Sequence, residues 1–130
     1  MNYSAYACAI LGKPALDREA VRELLEEIED LPERVEVYQD EEGYLAVEIT
    51  EPQEEVWLLA RVLDGFVLEA GPDSGGPGWA GDKEGSYELF PENLPALGKA
   101  FLEWKRRVPP AGEGALEAFL ALLKEAQKAA

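Results

Sequence analysis

The chain contains no histidine, one cysteine and one methionine among its 130 residues. Each absence removes a class of chemistry. Without histidine, Ser–His–Asp and Cys–His nucleophile systems are excluded, and so is a zinc site of the usual Cys/His type. Carboxylates, lysine, tyrosine and one thiol are what remains for acid–base work. A single cysteine, Cys8, forbids an intrachain disulfide and makes the cytoplasm the expected compartment. No apolar run approaches the roughly 20 residues of a membrane-crossing helix. The opening "MNYSAYACAIL" lacks a basic n-region, and its apolar stretch is too short for a signal peptide. Amide and hydroxyl residues are scarce, while Glu, Ala, Leu and Pro abound, a thermophile-like balance that biased base composition also produces.

Positive charge is scarce as well. Twelve Lys and Arg stand against 27 Asp and Glu, a net charge of −15. The imbalance is uneven: Asp17 to Glu55 holds sixteen acids and three bases, Lys99 to Lys128 four acids and six bases. "EWKRRV" (103–108) is the one basic cluster. Such a field repels nucleic acid and anionic membrane and favours cationic partners. Solubility of a small protein is the ordinary account of the same surface. The apolar fraction of 47% argues against disorder. One domain, 1–130, is expected, large enough to bury about two-thirds of its unfolded surface without a staple.

Residues 3–11, "YSAYACAIL", are apolar at both alternating sets, which suits a strand buried on both faces. One set is mostly methyl groups, so a helix or a ligand must approach it closely. Asp17 is a good N-cap for a helix whose stripe is Val21, Leu24, Leu25, Ile28 and Leu31, ending at Pro32. "RVEVYQDEEGYLAVEIT" (34–50) alternates on both sides of a "DEEG" turn and reads as a hairpin with one wet face. Thr50 with Gln53 matches a capping box for a helix carrying Val56, Leu59, Ala60 and Leu63, with Gly65 as its stop. "FVLEA" (66–70) is a short strand. The order βαββαβ over residues 1–70 is that of an α+β, ferredoxin-like unit, an antiparallel sheet with helices on one face. A Gly-rich loop (71–85) follows, then a C-terminal extension (86–130). "SYELF" there is a possible strand, and two helices carry Leu97, Phe101, Trp104, Val108 and Leu116, Phe119, Leu120, Leu123.

The loop "GPDSGGPGWAGDKEG" packs six glycines and two prolines into fifteen positions. "GPGWAG" (76–81) fits the G-x-G-x-x-G spacing, but Pro77 removes an amide donor and neither a long helix nor a βαβ unit follows. "LGKP" (11–14) lacks both the leading glycine and the Ser/Thr of a phosphate-binding loop. RNA-recognition domains share the βαββαβ order, yet "GYLAVEIT" (43–50) offers only Tyr44, without a second aromatic or an arginine, so no nucleic-acid partner is expected. Asp40, Glu41 and Glu42 lack the alternation of a calcium loop and read as a solvated turn. Cys8 reads as a small buried hydrophobe rather than a catalytic thiol. "KRRV" (105–108) near Trp104 suits an anion or an acidic partner, and equally the protein's own acidic helix or a second copy, giving a possible homodimer.

The reading is an acidic, non-enzymatic binding protein that recognises a basic protein partner, of inhibitor, immunity or adaptor type. Long loops in compact domains are often functional. The expected contacts are therefore Asp73, Ser74, Trp79 and Asp82, with Tyr87 beside them. No catalytic residue, metal or cofactor is expected. The alternatives are a carboxylate- or metal-assisted enzyme with the methyl-lined strand face as pocket floor, and a small-molecule-binding regulatory domain.

Overall fold

The computed structural model describes residues 6–13, 17–27, 35–50, 55–70 and 78–129. The expected end of the first helix (Ile28, Leu31, Pro32), Gln53 of the capping box, and Asp73 and Ser74 lie outside them.

Alternation and turn chemistry set the first half. β1 (Tyr6–Leu11) pairs antiparallel with β3 (Leu45–Thr50) on one side and β4 (Phe66–Ala70) on the other. β2 (Val35–Gln39) pairs with β3 across a turn that Asp40 organises. Its carboxylate accepts from the amides of Glu42 (3.0 Å) and Tyr44 (2.9 Å), and Gly43 supplies the φ of 96°. This is an Asx-type turn, so Asp40 serves its own backbone.

The second half corrects the expected loop. Within the Gly-rich stretch, Trp79–Asp82 form β5, which pairs with β4 and, through the Lys83–Glu84 turn, with β6 (Gly85–Glu88). Glycine lowers strand propensity, which is why the composition reads as a loop. Here Gly81 marks a close approach instead: a Cβ would overlap Gly85 O and stand 2.6 Å from Ser86 Cα. The chain is α+β, with a six-stranded antiparallel sheet in the order β2-β3-β1-β4-β5-β6, two strands wider than the expected unit.

Helices cover both faces. α1 (Arg18–Glu26) begins at Asp17, whose carboxylate accepts from the amides of Glu19 and Ala20, as its N-cap reading requires. α2 (Glu55–Leu63) and α4 (Ala115–Ala129) pack with it over Ala9, Leu11, Leu45, Val47, Ile49 and Val67. Of the methyl groups on this side of β1, Ala9 is described and is fully buried among these helices. α4 buries Ala115, Phe119, Leu122 and Ala126, while Leu120, assigned to the stripe from spacing, is exposed. α3 (Leu94–Arg107), entered through a short 3-10 turn at Pro91–Asn93, closes the opposite face with Trp104 and Phe101 over Ile10, Ala46 and Phe66. The hairpin β2–β3 is therefore wet on that face only where α3 stops.

Trp104 is the keystone of this second core. Its ring is fully buried, tilted against Tyr44 (5.3 Å) and Phe66 (5.9 Å), and its indole N–H donates to Asp64 O at 2.7 Å. The Tyr44 hydroxyl donates to Val108 O at 2.7 Å. Both polar tips are thus satisfied, as buried aromatic side chains require. The stop of α2 also differs from expectation. Asp64, not Gly65, takes the positive φ (51°), and the glycine serves a close contact instead: a Cβ there would lie 2.7 Å from Leu11 Cδ2.

Candidate functional site

Of the residues singled out in the sequence, Trp79, Asp82 and Tyr87 fall on the β5–β6 hairpin. In the register Trp79 opposes Glu88, and Ala80 opposes Tyr87. Directly opposite residues share a face and successive ones alternate, so Trp79 and Tyr87 point to opposite sides of the sheet. Trp79 is exposed; Tyr87 is half-buried. The structure does not gather the three into one patch.

Asp82 sits in an ionic cluster. It is buried, and its carboxylate accepts from the Arg107 guanidinium at 3.0 Å and from the Glu84 amide at 3.0 Å. Arg107 also reaches Asp64 Oδ1 at 3.2 Å, and Lys83 lies 3.7 Å from Asp64 Oδ2. Two carboxylates converge here, but two cations accompany them. The arrangement clamps the end of α3 to the turn after α2 and to β5. Beside it open two shallow clefts that share Lys83. One, about 340 Å³, is lined by Asp17, Val62, Asp64 and Arg107; the other, about 300 Å³, by Trp57, Arg61, Gly85 and Ser86.

Cys8 is buried on the α3 side of β1. Burial, then the Glu48 carboxylate, push its thiol up to about 12, which leaves it protonated and a poor nucleophile at neutral pH. Glu42 is paired with Lys105 at 2.6 Å, and that hydrogen bond raises the lysine's affinity for its proton. Among the described residues, no three Cys, Asp or Glu side chains gather as a metal site would require.

A different surface emerges from the strand register. Glu36, Glu48, Cys8, Leu68, Ala80 and Tyr87 are successive partners across all six strands, one transverse row on the α3 side. α3 covers the neighbouring row of Ala46, Ile10 and Phe66, leaving Glu36, Tyr38 and Leu68 exposed and Glu48 half-buried. Glu36 lies directly opposite Glu48. Like charges at opposed positions of an antiparallel pair are destabilising. The Tyr38 hydroxyl donates to Glu48 Oε1 at 3.2 Å and fixes that carboxylate. Partial burial, Cys8 and Glu48 raise the phenol to about 12, so it stays a donor.

No protein-family model, curated protein or solved structure matches the chain. The site therefore rests on its own geometry. Sequence reasoning missed the Glu36–Glu48 pair although a signal existed. Counting outward from the Asp40–Tyr44 turn places Gln39 opposite Leu45 and Glu36 opposite Glu48.

Proposed function

We propose that this chain is an acidic, non-enzymatic binding protein that recognises a basic protein partner, in the manner of an inhibitor, immunity or adaptor protein. The observation that carries the reading is the opposed Glu36–Glu48 pair beside the exposed Tyr38 ring, with exposed Leu68 two strands further along the same row. An arginine or lysine from a partner, seated between the two carboxylates, relieves their repulsion. The Tyr38 face offers it a cation–π contact, and Leu68, two strands from Glu48, an apolar contact for another part of the partner. The net charge of −15 adds long-range steering, which raises association rate and selectivity more than affinity. Tyr87 ends the same transverse row. The Gly-rich segment with Asp73, Ser74 and Trp79 supplies the second contact region in this proposal, while Asp82 serves the scaffold.

We also read the first four strands as a ferredoxin-like unit extended by β5 and β6. The support is that β1 lies between β3 and β4, with β2 outside β3.

The test is an amide chemical-shift titration with an unstructured peptide of alternating arginine and alanine, at low and at physiological salt. Shifts concentrated at 36–38, 48 and 68 are expected. In Glu36→Lys, which turns the repulsive pair into an attractive one, the protein gains a few tenths of a kcal/mol of stability and the shifts disappear. Shifts centred instead on the outer carboxylates of α1 (Glu19, Glu23, Glu26), or unchanged in the variant, refute the assignment.

A further inference from the structure

The outward side of α3 poses a question that the buried side does not answer. Phe90 (41% exposed), Leu94 (51%) and Leu102 (59%) are three of the eight large apolar side chains exposed among the described residues, and all three sit on or just before this helix. Between the two leucines lies Gly98, in the helix interior, where glycine costs about 0.5–1 kcal/mol relative to alanine. Nothing among the described residues requires it: a Cβ at Gly98 would meet none of their atoms within 4 Å. By contrast, Gly12, Gly65 and Gly81 are each pressed by a neighbour. A glycine that no contact among the described residues explains, centred in an exposed apolar stripe, keeps the helix surface flat where another helix approaches.

The stripe also specifies the approaching helix. Leu94, Gly98 and Leu102 are spaced i, i+4, i+8, so the pattern reads the same in both directions about Gly98. In a two-fold pair of antiparallel α3 helices crossing at Gly98, Leu94 of each copy meets Leu102 of the other, the self-complementarity an isologous contact demands. Charge agrees. Glu92 lies in the acidic entry turn, and the basic residues Lys105, Arg106 and Arg107 lie in the last turn. Lys105 and Arg107 are engaged within the chain by Glu42, Asp64 and Asp82. Exposed Arg106 is placed by the antiparallel crossing against the Phe90–Glu92 end of the second copy, and the helix dipoles oppose. We propose that the outward face of α3 is a homodimer interface, crossing antiparallel at Gly98. It stands independently of the proposed partner site.

Sedimentation velocity of the full chain across a concentration series tests this. A reversible monomer–dimer equilibrium is expected, abolished by Leu102→Glu with unchanged circular dichroism. A second measurement does not depend on that variant's folding. Residue 98 meets its own symmetry mate only at this crossing. In a glutathione redox buffer, Gly98→Cys should therefore form an intermolecular disulfide roughly tenfold or more faster than Leu120→Cys, an exposed position on α4. Native Cys8 is buried and does not compete. A wild type monomeric at every concentration, a dimer that survives Leu102→Glu, or equal cross-linking at 98 and 120 overturns the proposal.

Discussion

Arg107→Met strands a carboxylate. In the native fold, the Asp82 side chain is 6% exposed and that of Arg107 41%, with 3.0 Å between Nη2 and Oδ2. Truncating one partner of a buried pair costs about 3–5 kcal/mol, because the survivor keeps its desolvation penalty and loses its compensation. Fully exposed pairs are worth at most about 1 kcal/mol. Arg107 is partly solvated and Asp82 is not, so the expected loss falls between, about 2 kcal/mol, or roughly 5–10 °C in Tm for a domain of this size. Lys83 partly compensates Asp64, which it already approaches, and the Glu84 amide continues to bond Asp82.

A double-mutant cycle separates this electrostatic account from lost packing of the arginine stem. Asp82→Asn removes the charge while its side-chain oxygen still accepts from Glu84. Arg107→Met in that background should then cost at least about 1 kcal/mol less than in wild type. Urea denaturation of the wild type, both single variants and the double variant supplies the four free energies. A single-variant loss below about 0.5 kcal/mol, or strict additivity, refutes the claim that Arg107 is held by a buried charge.

Two further outcomes follow from the same structure. Gly12→Ala should lose about 2 kcal/mol or more, since its Cβ would overlap Val108 Cγ1 and lie 2.5 Å from Pro109 O, whereas Gly98→Ala in dilute solution should gain about 0.5–1 kcal/mol. Thermal melts of the two check the contrast, and destabilisation by both defeats it. For pH, the native Cys8 thiol holds its proton to about 12 while an unfolded thiol releases it near the ordinary value of 9.0, so the unfolded chain binds fewer protons between those values and stability falls as pH rises through that window. The urea midpoint should drop between pH 8 and 11, less so in Cys8→Ala; an identical drop in both contradicts the burial of the thiol.

Legibility in the sequence followed the reach of each signal. Local periodicity located β1, α1, the β2–β3 hairpin and α3, because apolar spacing and caps such as Asp17 act over a few residues. Central placement of β1 was legible too, since both its faces are apolar. The strand at 79–82 was not. Its glycine count mimics a loop, and the reason for Gly81 is a contact with Gly85 and Ser86 that exists only once the hairpin closes. The pairing of Asp82 was illegible for a similar reason: its partner Arg107 is 25 residues away, and no local pattern announces the pair. The basic cluster at 105–107 was visible, but its division of labour was not. Lys105 and Arg107 hold α3 down onto the fold, and Arg106 faces outward.

That division bears on how the surplus acid should be weighed. An acidic surface alone is explained by solubility and identifies no site. Among the described residues, several ion pairs tie elements together: Arg18 to Glu125 joins α1 to α4, and Lys105 to Glu42 joins α3 to the hairpin turn. Glu36 and Glu48 depart from that pattern. They are opposed in register on the open side of a sheet, where Glu36→Lys would exchange repulsion for attraction without displacing any core residue. In the proposed reading, a position that gives up stability in this way, beside an aromatic ring whose hydroxyl orients one of the two carboxylates, is arranged for a cation from the partner. It is this local cost, rather than the net charge, on which the proposed recognition of a basic partner rests.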